Sequence, residues 1–294
     1  MTGGTRGAGA TLVALVALVA LLAAAATAMA GDYIGPLIDA HSHVPNATAI
    51  DAYVAAMKRH GITRVVLLGV GGVQKDDAAW IAAAAKKYPD RVVAGVPVPD
   101  PAAADAGVRL DAELKRSRAR VAGEVHVRQA SRKIERDPSA APFLALLRAA
   151  AAHEAAVVIH QELDERAAAA LERALVAEPK AIVVLAHAGE APPALIETLL
   201  TRRANLRVDL SGMHFQRSPS LATETGPLDP AWKALIEKMP DRFLMGVDVW
   251  APRLFEPRTL DRLMAWTRRV LGELRPDVAE RVAWKNAAAL YRVE

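Results

Sequence analysis

Several short apolar runs in this chain end on residues that can bind a metal or move a proton. They are Ile38-Asp39-Ala40-His41-Ser42-His43, Val157-Val158-Ile159-His160, Val183-Val184-Leu185-Ala186-His187 and Leu244-Met245-Gly246-Val247-Asp248, with Gly123-Glu124-Val125-His126-Val127-Arg128 of the same kind. Side chains alternate faces along a strand, so His41 and His43 point the same way, and Glu124, His126 and Arg128 share a face while Val125 and Val127 pack outward. Two imidazoles two positions apart on one face can hold one divalent ion. A lone histidine closing a strand is more often structural. Four such histidines with Glu124 and Asp248 are hard to explain as packing, because buried charges need a metal or each other. The candidate ligands are therefore His41, His43, Glu124, His160, His187 and Asp248. This donor set suits zinc first, and also manganese, iron or cobalt. Six donors exceed what one zinc usually takes. Either two ions share the site with Glu124 between them, or some of the six are acid–base groups.

The elements that must position these residues are legible as alternating apolar runs and helical stretches. Strand candidates are 36–41, 64–70, 91–98, 121–127, 156–161, 181–187, 206–210 and 243–248; helical stretches include 49–60, 76–88, 141–153, 163–177 and 193–203. Gly61 after Arg59-His60, and Pro89-Asp90 before the third strand, supply helix stops. No linker rich in Gly, Ser or Pro divides the middle of the chain, and no fixed repeat is present. Eight βα units in one domain, a (β/α)8 TIM barrel, is the simplest account. Chemistry in that fold sits at the C-terminal strand ends.

Composition narrows the field further. The chain has 294 residues, is 52% hydrophobic and 24% charged, and carries no cysteine, so disulfides, thiolate metal sites and cysteine nucleophiles are excluded. A net charge of +4 is spread over interspersed signs, and the densest basic run, Lys115 to Arg120, reads as a solvated helix face. Aromatic residues make up only 4%, too few for base-stacking platforms, so nucleic acid is not expected as a partner. Residues 1–30 hold one charge, Arg6, and an apolar run from Leu12 to Ala26 that is shorter than a stable membrane span. Ala28-Met29-Ala30 matches a signal-peptidase site, which predicts a cleaved signal peptide, a mature barrel over 31–294 and export to the periplasm or medium. The competing reading of this segment is an uncleaved anchor; no cysteine follows it to carry a lipid.

With these residues in view, the chain resembles the amidohydrolase superfamily of metal-dependent hydrolases, in particular its family 2 and TatD-like branches. The resemblance spans residues 34–294 and rests on His41-Ser42-His43, His160, His187, Asp248 and the closing Trp284-Lys285-Asn286-Ala287-Ala288. It implies that His41 and His43 bind the buried metal, that Asp248 is both ligand and general base, and that His160 and His187 complete the site. Glu124 is similar to the strand-four glutamate that bridges two metals in the TatD-like branch; strand four has no lysine to take the carboxylated form found in other relatives. Metal-activated water would then cleave an amide, ester, lactone or phosphoester, with Asp248 passing the proton to the leaving group. Some family 2 members are instead decarboxylases of small carboxylated substrates.

The remaining polar residues sort by position. His60 and His153 close helices, where a cation is favoured by the dipole, and are read as structural. His126, facing the same way as Glu124, is balanced between a structural role and contact with a metal ligand or substrate. Arg128, His214 and Trp250 are expected to bind substrate, Arg128 as a bidentate carboxylate donor unless it simply pairs with an acid, and Arg253 is placed to touch it. The stretch 216–230 reads as a mobile flap. The expected partner is a small molecule; no stable membrane span is expected after cleavage, and a homo-oligomer is compatible with the sequence. A non-catalytic envelope protein would need a degraded site, yet all six positions are filled.

Overall fold

The computed structural model describes residues 31–71 and 74–293, so the expected leader lies outside the described residues. The eight expected strands are all present, most of them shorter than the apolar runs. β1 (Leu37–Ser42), β2 (Ile62–Leu67) and β3 (Val92–Ala94) form a parallel sheet in the order β1-β2-β3. β4 (Val121–Gln129), β5 (Ile134–Glu135), β6 (Ala156–Gln161), β7 (Ile182–Leu185), β8 (Leu206–Asp209) and β9 (Phe243–Leu244) form a second sheet in the order β5-β4-β6-β7-β8-β9. Only the two-residue β5 is antiparallel, and the apolar pattern does not announce it.

The expected single closed barrel is therefore met as two parallel sheets whose edges abut. At one seam Val96 bridges to Ala122, with Val96 N donating to Val121 O at 3.0 Å and Gly123 N to Val96 O at 2.9 Å. At the other, Ala40 N donates to Met245 O (2.9 Å), Asp248 N to His41 O (2.8 Å) and His43 N to Val249 O (2.8 Å). The ladder breaks at this second seam because the chain leaves extended geometry there: β9 stops at Leu244, and Asp248 has φ 59°. A non-glycine residue in the left-handed region cannot continue a strand.

Helices cover the sheets, starting and stopping within two residues of the sequence expectation. In α1 (Ala49–Arg59) the buried residues Ile50, Tyr53, Val54 and Met57 recur at helical spacing and form the face laid on the sheet. α2 (Asp77–Lys87), α3 (Ala106–Ser117), α4 (Ala141–Ala152), α5 (Glu165–Ala177), α6 (Pro193–Arg202) and α7 (Pro230–Lys238) follow, then the strongly amphipathic α8 (Pro257–Gly272) and the short α9 (Pro276–Glu280). A separate apolar cluster, drawn from strands of both sheets, includes Ile38, Val66, Val158, Val184 and Leu244, joined by Ala287 and Tyr291 of α10 (Asn286–Tyr291). Asn286 Nδ2 donates to Pro240 O and Phe243 O at 2.8 Å each, which fixes α10 beneath β9.

At the β1–β9 seam sits a buried carboxylate, Asp39. It accepts from Val247 N (2.7 Å), His41 N (3.2 Å), Ser42 Oγ (2.5 Å) and Tyr53 Oη. Burial pushes its pKa up to about 6 against the pull of these donors. Removing it strands a buried hydroxyl pair and two backbone N–H groups. Asp39→Ala is expected to lower stability by about 3–5 kcal/mol, with Tyr53→Phe costing about 1–2 kcal/mol. Urea denaturation tests this; a variant at position 39 that unfolds with the wild type would show that the seam does not depend on it.

Candidate metal centre and its cavity

The rim residues reach the centre because several strands lose their regular alternation there. In β1 the inner apolar positions are Ile38 and Ala40, so strict alternation would turn His41 outward; the β1–β2 register shifts between Asp39 and Ser42, and His41 comes inward. In β4 the register with β6 shifts between Ala122 and Val125, where Gly123 has φ 133°, and this brings Glu124 and His126 inside. His187 and Asp248 each follow a strand with positive φ, 55° and 59°. Such conformations cost on the order of 1–3 kcal/mol and cluster at functional sites.

His41, His43, Glu124, His126, His160, His187, Asp209 and Asp248 are all buried there. The outer nitrogen of three imidazoles is fixed. His41 Nδ1 lies 2.9 Å from Asp209 Oδ2, His43 Nδ1 2.9 Å from the Leu68 carbonyl, and His187 Nδ1 2.9 Å from the Ser211 carbonyl. Carboxylates and carbonyls only accept, so each Nδ1 carries the proton and each neutral ring presents a lone pair at Nε2.

Those lone pairs converge on one another and on carboxylate oxygens. His41 Nε2 and His43 Nε2 are 3.2 Å apart, His187 Nε2 is 3.3 Å from Glu124 Oε1, and His43 Nε2 is 3.6 Å from Asp248 Oδ1 and 3.7 Å from Glu124 Oε2. Acceptors facing acceptors in a buried space require a cation between them. Donors bound at ~2.0–2.2 Å to one ion stand roughly 3.0–3.6 Å apart, so the spacing fits a divalent metal. Glu124 lies between two halves of the set: Oε1 faces His160 Nδ1 (3.0 Å) and His187, while Oε2 faces His126 Nε2 (3.1 Å) and His43. Three buried triads can each hold an ion, His41/His43/Asp248, His41/Glu124/His187 and Glu124/His126/His160.

Without an ion, protons take over its role. Burial opposes charge on His41, but Asp209, Glu124 and Asp248 outweigh it and push its pKa up to about 10. Burial and the adjacent His41 charge push His43 down to about 4. Burial also works against ionised Glu124 and Asp248, yet the surrounding imidazoles, and Arg217 beside Asp248, hold both below the usual carboxylate range.

The centre opens into a cavity of about 400 Å³. His214 and Trp250 line it, as the sequence suggests, and so does Arg253. Arg128 does not. The register of β4 shifts again between His126 and Arg128, and the guanidinium is taken by Glu135 (3.1 Å), Asp164 (2.9 Å) and the Glu162 carbonyl (2.9 Å). The cavity wall uses Gln129, Arg132 and Arg217 instead, which sequence reasoning passed over. Asp209 was also passed over, because the predicted seventh strand runs on to Leu210; the observed β8 ends on it. The stretch 216–230, expected to be a mobile flap, is pinned: Leu221 N donates to Met213 O (2.9 Å), Trp266 Nε1 to Thr223 O (3.1 Å), and Arg262 pairs with Glu224 (2.7 Å). His60 and His153 pair with Asp261 and Asp111 at 2.8 Å each, outside the cavity. Gly212 (φ 67°) lets the main chain approach closely: a Cβ there would lie 2.7 Å from Arg217 Nη1 and 2.8 Å from Asp248 Oδ2.

Over residues 38–293 the chain matches the amidohydrolase family model, and it belongs to that family. It is an enzyme of that family. No curated protein sequence matches it. Among solved structures it is similar to 5-carboxyvanillate decarboxylase from Sphingomonas paucimobilis, with TM-score 0.60 and 16% identity, covering 88% of this chain and 99% of that one. It is also similar to a dihydroxybenzoic acid decarboxylase from Polaromonas sp. with bound manganese and 2-nitroresorcinol (TM-score 0.59, 15% identity, covering 90% and 98%). A third is a probable 2-pyrone-4,6-dicarboxylic acid hydrolase from Acinetobacter baumannii with citric acid bound (TM-score 0.59, 16% identity, covering 87% and 99%). At these identities the likeness is one of fold.

Asp209 touches no cavity surface, so its contribution acts through the His41 ring. Asp209→Asn is expected to weaken binding of added Mn²⁺ or Zn²⁺ about 10–100-fold with little change in fold. Metal titration followed by calorimetry checks this; unchanged affinity would remove Asp209 from the centre.

Proposed function

We propose that the protein is an exported metal-dependent hydrolase, its two sheets closing as a (β/α)8 barrel around one or two divalent ions. Zinc is the first expectation, with manganese next. The observation that carries the reading is the convergence of the Nε2 atoms of His41, His43 and His187, whose Nδ1 atoms are held by acceptors outside, on Glu124 and Asp248. His41, His43 and Asp248 would hold one ion, and Glu124 a second, either with His187 and His41 or with His160 and His126. When bound, such an ion supplies Lewis acidity, which polarises a scissile carbonyl or phosphoryl group and acidifies water.

The chain's own groups divide the remaining work. Arg217 holds Asp248 Oδ2 and so fixes the carboxylate, with Oδ1 turned toward His43; the carboxylate would accept a proton from the attacking water and return it to the leaving group. Asp248 is suited to this because its pKa lies below the usual carboxylate range, so it is ionised at neutral pH. Burial pushes His214 down to about 4, so it is neutral there too. Its Nδ1 accepts from Gln216 N at 3.2 Å, so Nε2 carries the proton and is a donor available to a substrate oxygen in the cavity.

Decarboxylation of a small carboxylated substrate is the second reading, favoured by the two decarboxylases of similar fold. Purified protein is expected to contain at least one equivalent of divalent metal by elemental analysis, falling sharply in His43→Ala. Asp248→Asn should keep the fold and lose about 10²–10⁴ of turnover. Release of acid and alcohol, or acid and amine, from ester, lactone and amide panels would support hydrolysis. Carbon dioxide from aromatic acids would move the assignment to decarboxylation, and protein that neither holds nor regains metal would sink both. Export belongs to the same proposal: mass spectrometry of material outside the cytoplasm is expected to find a chain starting at Gly31, and a full-length chain retained in the cytoplasm would contradict it.

A further inference from the structure

The cavity wall holds a cationic donor that the metal reading does not use. Arg132 ends the turn Ala130–Arg132 after β4, and its Nη1 is buried without a hydrogen-bond partner. No carboxylate lies within 4.0 Å of its guanidinium among the described residues, whereas Arg128 and Arg217 are paired with acids. Three residues earlier, Gln129 lines the same cavity, and its buried Oε1 also lacks a partner. Arg253, across the Trp250 ring (5.7 Å to the centroid), is a second cavity cation with no acid partner among the described residues.

An unpaired buried donor costs more than a satisfied one returns, and the Nη1 end of this half-buried guanidinium is such a donor. On the wall of a cavity such a donor marks the position of a ligand atom; His126 Nδ1 and His160 Nε2, also unpartnered, lie among the candidate ligands of the centre, whereas Arg132 Nη1 lies apart from them on the wall. Guanidinium offers a planar fork that matches a carboxylate or phosphate bidentately.

We propose that Arg132, assisted by Gln129 and Arg253, forms an anion subsite of this cavity, so that the substrate carries a carboxylate or phosphate in addition to the group that reacts at the centre. The subsite selects small acids with two functional ends over their neutral counterparts. It rests on the reading of this cavity as the substrate site, and it is independent of whether the reacting bond is hydrolysed or decarboxylated.

The test is calorimetric titration of the full, metal-loaded protein with isophthalate, with 3-phosphonobenzoate and with isophthalamide, which replaces both carboxylates by neutral amides. Wild type is expected to prefer at least one dianion over the amide by roughly tenfold or more, the worth of a charge-assisted hydrogen bond. Which dianion binds better separates carboxylate from phosphate. Arg132→Gln should cut the preference roughly tenfold while metal content and affinity for isophthalamide stay unchanged; Arg132→Lys should keep part of it, and serves if the first variant fails to fold. A wild type that binds none of the three or shows no preference, or an Arg132→Gln protein that retains it in full, would overturn the subsite. Wild type lacking metal but still showing an Arg132-dependent preference would remove the metal reading and leave the subsite standing.

Discussion

The structure depends on a buried carboxylate at the place where its two sheets meet. Asp39 sits on β1 yet accepts from Val247 beyond β9 and from Tyr53 on α1, so one side chain ties two sheet edges and a covering helix together. His41 follows it by two residues, and Asp248 follows Val247 by one. The distance from His43 Nε2 to Asp248 Oδ1, 3.6 Å, is therefore set at the seam. The hydrogen-bonded Asp39 is the hinge pin on which one half of the metal centre is hung.

The centre itself is organised from outside inward. Asp209 belongs to β8, Leu68 follows β2 and Ser211 follows β8, and each holds the outward nitrogen of a histidine from another element. Their common effect is to fix where the protons are, and thereby to aim the lone pairs. A buried set of acceptors aimed at a single region is unfavourable in isolation and favourable around a cation. Preorganisation of this kind means that reorganising the ligands costs little at the moment of binding.

Much of this was legible in the sequence. The apolar runs locate all eight principal strands, and the polar residues within or just after them include the six candidate ligands, because burial and strand position leave a direct trace in residue type. His60 and His153 were read as helix-end residues and are found there, as C-caps bound to acids. What sequence periodicity does not carry is where alternation fails. The shifts in β1 and β4 bring His41 and Glu124 inward, but the second shift in β4 turns Arg128 away toward Glu135 and Asp164. Arg132 was invisible for the same reason: its direction is set by the turn into β5, a strand of two residues with no apolar signature. The break between the sheets has no trace in composition either, since it follows from a left-handed backbone at Asp248.

The wall formed by His214 and Arg217 is not freestanding. The segment that carries it is strapped to α8 through Trp266 and Arg262, and the Arg262 guanidinium also lies over the Phe215 ring at 5.1 Å. The shape offered to a ligand is thus written partly on the outer surface of the molecule, in a helix that never meets the ligand. A lineage could retune what this protein accepts by exchanging residues of that helix, leaving every group that does chemistry untouched.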